Sequence, residues 1–230
     1  MKIIWLGHAS FRIEIEDKRL LIDPWLKGNP SLSEASHAEA IDGATHILLT
    51  HGHFDHICDT LPLAKEKDIP VVGQFDLINY WVETEKIEGI GFNKGGTVCL
   101  DNVEVTMVHA VHSSTMGSPA GPKCIGTECG FMIKGEGHTI YISGDTDVMA
   151  DMAVFNDLHA PDIGILSAGG HFTMDMKRAG YAAAKFFNFK IIIPCHYKTF
   201  PILEQSAYEL IKAVPEANII EPKVMVPIKL

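Results

Sequence analysis

The chain has 230 residues, of which 47% are hydrophobic and 21% are charged, and its formal net charge is −10. This composition is typical of a globular protein with a sizeable core, and no apolar stretch approaches the roughly 20 residues of a membrane-spanning helix. The excess of acidic residues disfavours binding to nucleic acid or to an anionic membrane through phosphate groups.

The N-terminus and the cysteines predict a cytoplasmic protein. The apolar run after Lys2 ends at Gly7, whereas a signal peptide needs about 7–15 apolar residues. The cysteines lack the two-residue gap of a zinc knuckle or redox motif; they are Cys58, Cys99, Cys124, Cys129 and Cys195. We expect reduced thiols, with a disulfide between Cys124 and Cys129 as the alternative.

The first half of the chain has the patterns of β-strands. After an apolar run at residues 3–6, apolar and charged residues alternate from Phe11 to Glu16, so residues 10–23 are predicted to form a hairpin. Further strands are predicted near residues 47–50, 71–72, 97–100, 103–108, 130–133 and 139–142, and helices at 59–67 and 75–83. Residues 27–44 are predicted to be a polar loop with one helical turn, and residues 113–126 a mobile loop rich in glycine, proline and serine.

The second half alternates helices with strands. The predicted helices span residues 149–158, 177–187 and 203–214, and the predicted strands span residues 163–166, 191–194 and 224–228. With neither a repeat nor a linker, residues 1–230 are interpreted as one domain of α/β class and α+β type. Two sheets are expected to lie between layers of helices.

The segment HGHFDH carries the strongest chemical signal. It follows the predicted strand 47–50 and places four candidate metal ligands within six residues: His51, His53, Asp55 and His56. Imidazole and carboxylate groups bind catalytic zinc at about 2.0–2.2 Å. In an extended turn His51 and His53 share one face, because side chains two residues apart point the same way. A polar loop that holds three histidines by chance is the weaker interpretation.

Later strands also end in candidate ligands. The strand 103–108 leads into His109 and His112, the strand 139–142 into Asp145, and the strand 191–194 into His196. Strand ends that feed loops at one edge of a sheet are where enzymes gather catalytic groups. Singly, Asp145 is equally well explained by a turn and His196 by a hydrogen-bonded core histidine. Together with HGHFDH they indicate one metal site.

In this order, these residues resemble the metallo-β-lactamase superfamily. HGHFDH matches its HxHxDH signature, and the match runs from Trp5 to His196. The resemblance implies a four-layer αββα sandwich with a dinuclear site along one edge of the sheets. The segments WLGHASF, LLIDPW, HAVHSS, ISGDTD and PCHYKTFP are most similar to a subgroup of small metal-dependent hydrolases. Ascorbate-6-phosphate lactonase and N-acylphosphatidylethanolamine phospholipase D are distant relatives in that subgroup.

Carried over by position, the resemblance implies a ligand set for two divalent metal ions. Zn²⁺ is expected before Mn²⁺, Fe²⁺ or Ni²⁺, all of which accept mixed imidazole and carboxylate ligands. One ion would be held by His51, His53 and His112. The other would be held by Asp55, His56 and His196, and Asp145 would bridge the two ions.

Three further histidines are assigned by the same resemblance. His112 is preferred to His109 as a ligand, and His109 would then orient a ligand through a hydrogen bond. His8 is expected to lie beside the metals. His171 is expected to contact the substrate or the leaving group, with a surface position as its alternative.

The predicted activity is the hydrolysis of a small ester, lactone or phosphodiester. A metal-bound hydroxide would attack carbon or phosphorus, and Asp55 would orient it or relay its proton. A metal-binding sensor or scaffold without turnover is the alternative. The net negative charge disfavours a nuclease. The absence of an export signal disfavours β-lactam hydrolysis.

The expected partner is a small-molecule substrate, with neither nucleic acid nor membrane, and the sequence leaves open whether the chain forms a homo-oligomer. The loop 113–126 is expected to close over the substrate, with Lys123 meeting an anionic group. The glycine-rich segment 91–96 is interpreted as a turn rather than a phosphate-binding loop.

Overall fold

Two sheets of seven strands each form the middle of the molecule in the computed structural model, which describes all residues from Met1 to Leu230. In chain order the strands are β1 (Lys2–Gly7), β2 (Ser10–Ile15), β3 (Lys18–Ile22), β4 (His46–Leu49), β5 (Val71–Gln74), β6 (Gly89–Phe92), β7 (Thr97–Leu100), β8 (Val103–His109), β9 (Thr115–Met116), β10 (Lys123–Cys124), β11 (Cys129–Gly135), β12 (His138–Ile142), β13 (Ile163–Ser167), β14 (Ile191–Cys195), β15 (Asn218–Ile219) and β16 (Ile228–Lys229). The first sheet has the order β16-β1-β2-β3-β4-β5-β6, and the second has the order β15-β14-β13-β12-β11-β8-β7. Strands β9 and β10 form a separate two-stranded ribbon.

Helices cover the outer face of each sheet. They are a 3-10 turn (Glu34–Ser36), α1 (His37–Ile41), α2 (Phe54–Ile57), α3 (Thr60–Lys67), α4 (Phe75–Glu85), α5 (Asp151–His159), α6 (Met176–Phe186) and α7 (Tyr208–Ala213). Buried side chains of α1, α3 and α4 pack against the first sheet, and those of α5, α6 and α7 pack against the second. The predicted αββα sandwich is therefore confirmed.

The alternation of side chains along the strands explains why two layers form. In β1, Ile3 and Trp5 join the core between the sheets, whereas Ile4 and Leu6 join the core under the helices. Successive strand residues point to opposite faces, so a strand that is apolar at every position is buried on both sides. Each such side chain contributes about 1.5–3 kcal/mol when it is fully buried.

Some predicted elements were wrong in length or kind. The helix predicted at 203–214 begins only at Tyr208, because the backbone of Glu204 is hydrogen-bonded to Gly169 and Lys198 instead of to a helical turn. The strand predicted at 224–228 is reduced to Ile228–Lys229. The predicted mobile loop 113–126 contains the ribbon β9-β10, and the segment 91–96 begins within β6 before it turns.

Two further features bear on the sequence-based expectations. All five cysteines are free thiols, and two of them, Cys129 and Cys195, are buried. No helix combines the length and the apolar character that crossing a membrane requires.

Candidate metal centre

The loop between β4 and α2 supplies the densest group of polar side chains. His51 and His53 follow β4 directly, and the short helix α2 carries Asp55 and His56. The loop is anchored from the segment between β8 and β9, because the backbone N–H of Gly52 donates to Ser114 Oγ at 3.0 Å. One short loop thus brings two histidines from an extended segment and two ligands from a helical turn to the same place.

The second sheet supplies the remaining groups from the ends of three strands. His112 lies three residues beyond β8, Asp145 lies three residues beyond β12, and His196 is the first residue after β14. Because β12, β13 and β14 run parallel, their carboxyl ends meet at one edge of the sheet. This edge faces the loop that follows β4.

The carboxylate of Asp145 lies at the centre of the group. Its Oδ2 is 3.0 Å from Nε2 of His196 and 3.4 Å from Nε2 of His56. The same oxygen is 3.7 Å from Nε2 of His112 and 4.0 Å from Nε2 of His51. A single oxygen therefore faces histidines contributed by both sheets.

Three overlapping sets of ligand atoms each fit within 4.8 Å. One set is His51, His53 and His112; another is His51, His56 and Asp145; the third is His8, Asp55, His56 and His196. All seven residues predicted as metal ligands are members of these sets. The structure thus brings together residues that are up to 145 positions apart in the sequence, from His51 to His196.

Strained backbone marks three of the strand ends. His8, Asp23 and His196 follow β1, β3 and β14, and their φ angles are 54°, 44° and 58°. Non-glycine residues adopt this left-handed region rarely, and such strain is concentrated at functional sites. The backbone therefore turns sharply at the points where these side chains enter the site.

Asp23 is a hydrogen-bond partner of the candidate site that sequence reasoning missed. Its Oδ1 accepts the backbone N–H of Thr50 at 2.8 Å, and its Oδ2 accepts the Thr50 hydroxyl at 2.6 Å and Nδ1 of His56 at 2.8 Å. The Thr50 oxygen in turn lies 3.0 Å from Nδ1 of His51. The available signal was its position directly after an apolar strand in LLIDPW, the same pattern that singled out Asp145.

These outer hydrogen bonds decide where each ring carries its proton. Asp23 is an acceptor only, so Nδ1 of His56 must donate, and in the neutral ring that binds a metal the lone pair of His56 lies on Nε2. Thr50 uses its proton towards Asp23, so it accepts from Nδ1 of His51, whose lone pair is likewise on Nε2. Both lone pairs therefore face the interior of the cluster, as metal-binding imidazoles require.

Burial and neighbouring charges have opposite effects on the pKa values of the site residues. Burial lowers the pKa of His51 well below its usual value, which keeps this ring neutral. For His56 and His196 burial also acts to lower the pKa, but nearby carboxylates, Asp145 first, outweigh it. They raise the pKa of His56 well above its usual value and that of His196 to about 9. The same two histidines outweigh burial at Asp145 and hold its pKa well below the usual range.

The donor set fits a divalent cation. Nε2 of His56 and Oδ1 of Asp145 are buried and have no hydrogen-bond partner. Leaving a buried polar atom unpartnered costs about 1–3 kcal/mol, so such atoms need an explanation. An imidazole lone pair and a carboxylate oxygen are both ligands of zinc and similar ions. A bound cation at this position would supply the missing partner to both atoms.

His8 lies inside the group, hydrogen-bonded to a predicted ligand. Its Nε2 is 2.9 Å from Oδ2 of Asp55, and its Nδ1 is 2.9 Å from the hydroxyl of Thr199. Burial is the main cause that lowers the pKa of His8 to about 4, so the ring carries one proton. Since Asp55 accepts only, that proton lies on Nε2, and Thr199 donates to Nδ1.

Two predicted site residues are not brought into the group. His109 is the last residue of β8, where its exposed ring lies 3.1 Å from Asp151 instead of contacting a ligand. His171 is exposed and packs edge-on against Phe172, with 4.6 Å between the ring centroids. It lines two neighbouring grooves and not the cavity above the ligands.

A cavity of about 690 Å³ opens above the ligand atoms. Its floor is formed by five side chains that belong to or surround the ligand sets: His8, Asp55, His112, Asp145 and His196. The ribbon β9-β10 contributes Thr115 to its wall. The volume lies in the range that is usual for small-molecule sites.

Comparisons with known proteins agree with one another. A family model described as beta-lactamase superfamily domain matches residues 2–196. A metal-dependent hydrolase of Dinoroseobacter shibae is 62% identical over 230 residues, 100% of both chains. Another, from Paracoccus denitrificans, is 61% identical over 230 residues, again 100% of both chains. A solved metallo hydrolase from the archaeon Ignicoccus hospitalis has a TM-score of 0.85 and 28% identity, covering 100% of this chain and 98% of the other.

Proposed function

The chain belongs to the β-lactamase superfamily and is a metal-dependent hydrolase, and we propose that it hydrolyses a small ester, lactone or phosphodiester at the cluster around Asp145. The observation that carries this proposal is the convergence of four Nε2 atoms on one carboxylate oxygen at the floor of the cavity. The proposal therefore assigns the cavity to the substrate and its floor to the metal.

We further propose that the site holds two ions, with zinc expected first. His51, His53 and His112 would hold one ion, because their ring nitrogens lie within 4.8 Å of one another. Asp145 would lie between this set and the second one.

The second ion would be held by Asp55, His56 and His196. His8 falls within the same distance limit, but its only proton lies on Nε2, between the ring and Asp55. We therefore assign His8 to the orientation of Asp55 rather than to the metal. Such outer hydrogen bonds fix the geometry of ligating groups and raise their basicity.

Hydrolysis adds a water molecule across the scissile bond. A bound divalent metal supplies the chemistry by lowering the pKa of a water molecule towards neutrality. Oδ2 of Asp55 accepts from His8, whereas no protein group donates to its Oδ1. That oxygen is thus placed to accept a hydrogen bond from the attacking water. The hydroxyl part would join carbon or phosphorus, and the remaining proton would pass to the leaving oxygen.

Elemental analysis of the purified protein, combined with turnover assays, tests this proposal. The substrates are p-nitrophenyl acetate, a lactone and bis(p-nitrophenyl) phosphate, and the variant is Asp145→Asn. We expect about two metal ions per wild-type chain. We also expect about a thousandfold loss of kcat/KM in the variant, since losing about 4 kcal/mol of transition-state stabilisation has that effect.

The matched control is Asp151→Asn, which removes a carboxylate that contacts an exposed histidine instead of a buried one. It is expected to keep the metal and the activity. Folded wild-type protein that takes up no metal after reconstitution would contradict the proposal. Metal uptake without turnover of any of the three substrates would contradict the substrate classes.

A further inference from the structure

We propose that the cavity selects a carboxylic ester or lactone with an apolar acyl substituent, and that it discriminates against substrates whose substituent is anionic. This inference rests on the proposed function and narrows it. It is carried by the side chains around the cavity rather than by the ligands at its floor.

Aromatic side chains pack against one another from the ligand loop to His8. Phe54 stands between two predicted ligands in the sequence, and 65% of its surface is exposed. Its ring centroid lies 5.8 Å from that of Trp25, which in turn lies 6.0 Å from Phe200 and 5.3 Å from His8. Trp25 is buried and packs behind the other rings, whereas Phe54 and Phe200 line the cavity and offer apolar surface to an acyl chain or an aryl ring.

The mouth of the cavity is apolar on more than one side. We define the mouth as Phe54, Phe172 and Ile202, whose side chains all line the cavity. Phe172 is 55% exposed and Ile202 is 58% exposed. Contiguous exposed apolar surface is uncommon on soluble proteins and marks binding sites. A ligand that carried an apolar group would remove this surface from water.

The cavity lacks the long cationic side chains that usually bind anionic groups. Its 14 lining residues include neither lysine nor arginine. Lys123, which the sequence predicted to meet an anionic group, instead places Nζ 4.0 Å from the centroid of the Tyr80 ring. Lys198 is bound to Glu221 at 2.7 Å. An anion in the substrate tail would therefore find no partner beyond the metal, whereas phosphate-binding sites are normally built with arginine or lysine.

The expected preference for an apolar acyl substituent follows from the burial of that substituent in the cavity. Each methylene group that leaves water strengthens binding by roughly fourfold. A terminal carboxylate on the same chain loses its hydration without gaining a cation. Two esters with equal chain length and the same leaving group isolate this difference.

The test compares p-nitrophenyl hexanoate with mono-p-nitrophenyl adipate, which differs by a terminal carboxylate. In the metal-loaded enzyme we expect kcat/KM for the hexanoate to exceed that for the adipate by about tenfold or more. Ile202→Lys places a cation at the mouth and is expected to bring this ratio close to one. Val154→Lys is the matched control, because Val154 is 53% exposed but lies on α5 outside the cavity. It should leave the ratio unchanged.

A binding measurement separates the tail from the chemistry. Hexanamide carries the tail of the hexanoate, and adipamic acid carries the tail of the adipate. Saturation-transfer NMR with the purified protein should detect binding of hexanamide but not of adipamic acid. p-Nitrophenyl acetate has almost no tail and reports on the hydrolase itself. If the acetate is hydrolysed but the hexanoate and the adipate react equally, this inference is overturned. If neither the acetate nor the lactone nor bis(p-nitrophenyl) phosphate is hydrolysed, the proposed function fails, and unequal binding of the two amides would still support the apolar cavity.

Discussion

The floor and the mouth of the same cavity are built in opposite ways. In the floor, His8, Asp145 and His196 are at most 2% exposed, and both ring nitrogens of His8 are hydrogen-bonded. In the mouth, Phe54 and Phe172 are more than half exposed. The floor thus consists of polar groups in the interior, and the mouth consists of apolar groups at the surface.

This difference between floor and mouth separates metal binding and catalysis from the selection of the substrate. Buried polar groups need partners, so the floor depends on its outer hydrogen bonds and on a cation, and any change there acts on chemistry and stability together. Exposed apolar side chains have few protein contacts, so a change at the mouth alters which substrate binds while the fold persists. Four experiments, from the largest expected effect to the smallest, test this separation.

Removal of the metal by a chelator should have the largest effect, because it acts on the whole floor. We expect hydrolysis to be lost and the melting temperature to fall by about 8–16 °C. That fall corresponds to about 4 kcal/mol of linked metal binding in a chain of this size. Differential scanning calorimetry with and without chelator measures it. The melting temperature of Asp145→Asn should change little on addition of chelator. Wild-type melting curves that coincide with and without chelator would mean that the floor is stable without a cation.

Asp23→Asn tests whether the proton positions around the floor matter. The amide would present an N–H where the carboxylate accepts from His56, so the ring would move its proton to Nε2 and lose the inward lone pair. We expect metal affinity to fall by about 10–100-fold. Competition with a fluorescent chelator measures this loss.

The matched control for that variant is Asp162→Asn. Asp162 also accepts from a histidine, His138, at 2.8 Å, but this pair takes no part in the three ligand sets. Metal affinity is expected to stay at the wild-type value. Equal losses in both variants would point to general destabilisation and remove the special role of Asp23.

Phe172→Ala tests the mouth alone. Truncating this exposed ring should lower kcat/KM for p-nitrophenyl hexanoate about fivefold relative to the acetate, because less apolar surface covers the tail. Metal content and melting temperature should stay as in the wild type. A proportional loss on both esters would show that the ring affects the floor, which would break the separation between the two regions.

His171→Ala should have the smallest effect. The sequence assigned this residue a contact with substrate or leaving group, but its ring is exposed and lies outside the cavity. We expect kcat/KM within about twofold of wild type, as is usual for a surface substitution. A loss of tenfold or more in steady-state assays would restore the sequence-based assignment.

The sequence by itself determined the chemistry of the site and the class of the fold. HGHFDH and the polar residues after apolar strands gave eight candidate ligands, and the family resemblance favoured the seven that the structure gathers into sets of ligand atoms within 4.8 Å. This was predictable because ligand spacing and strand alternation are local properties, set by the geometry of a few consecutive residues.

The tertiary structure alone decided how those residues are supported and what lies around them. That His109 contacts Asp151 and not a ligand depends on where β8 ends and which way its last side chain points. The role of Asp23 depends on β3 lying beside β4, and the exposure of His171 depends on the loop after β13. Hydrogen bonds between distant segments and the lining of a cavity arise from the packing of whole sheets. No pattern of neighbouring residues records that packing.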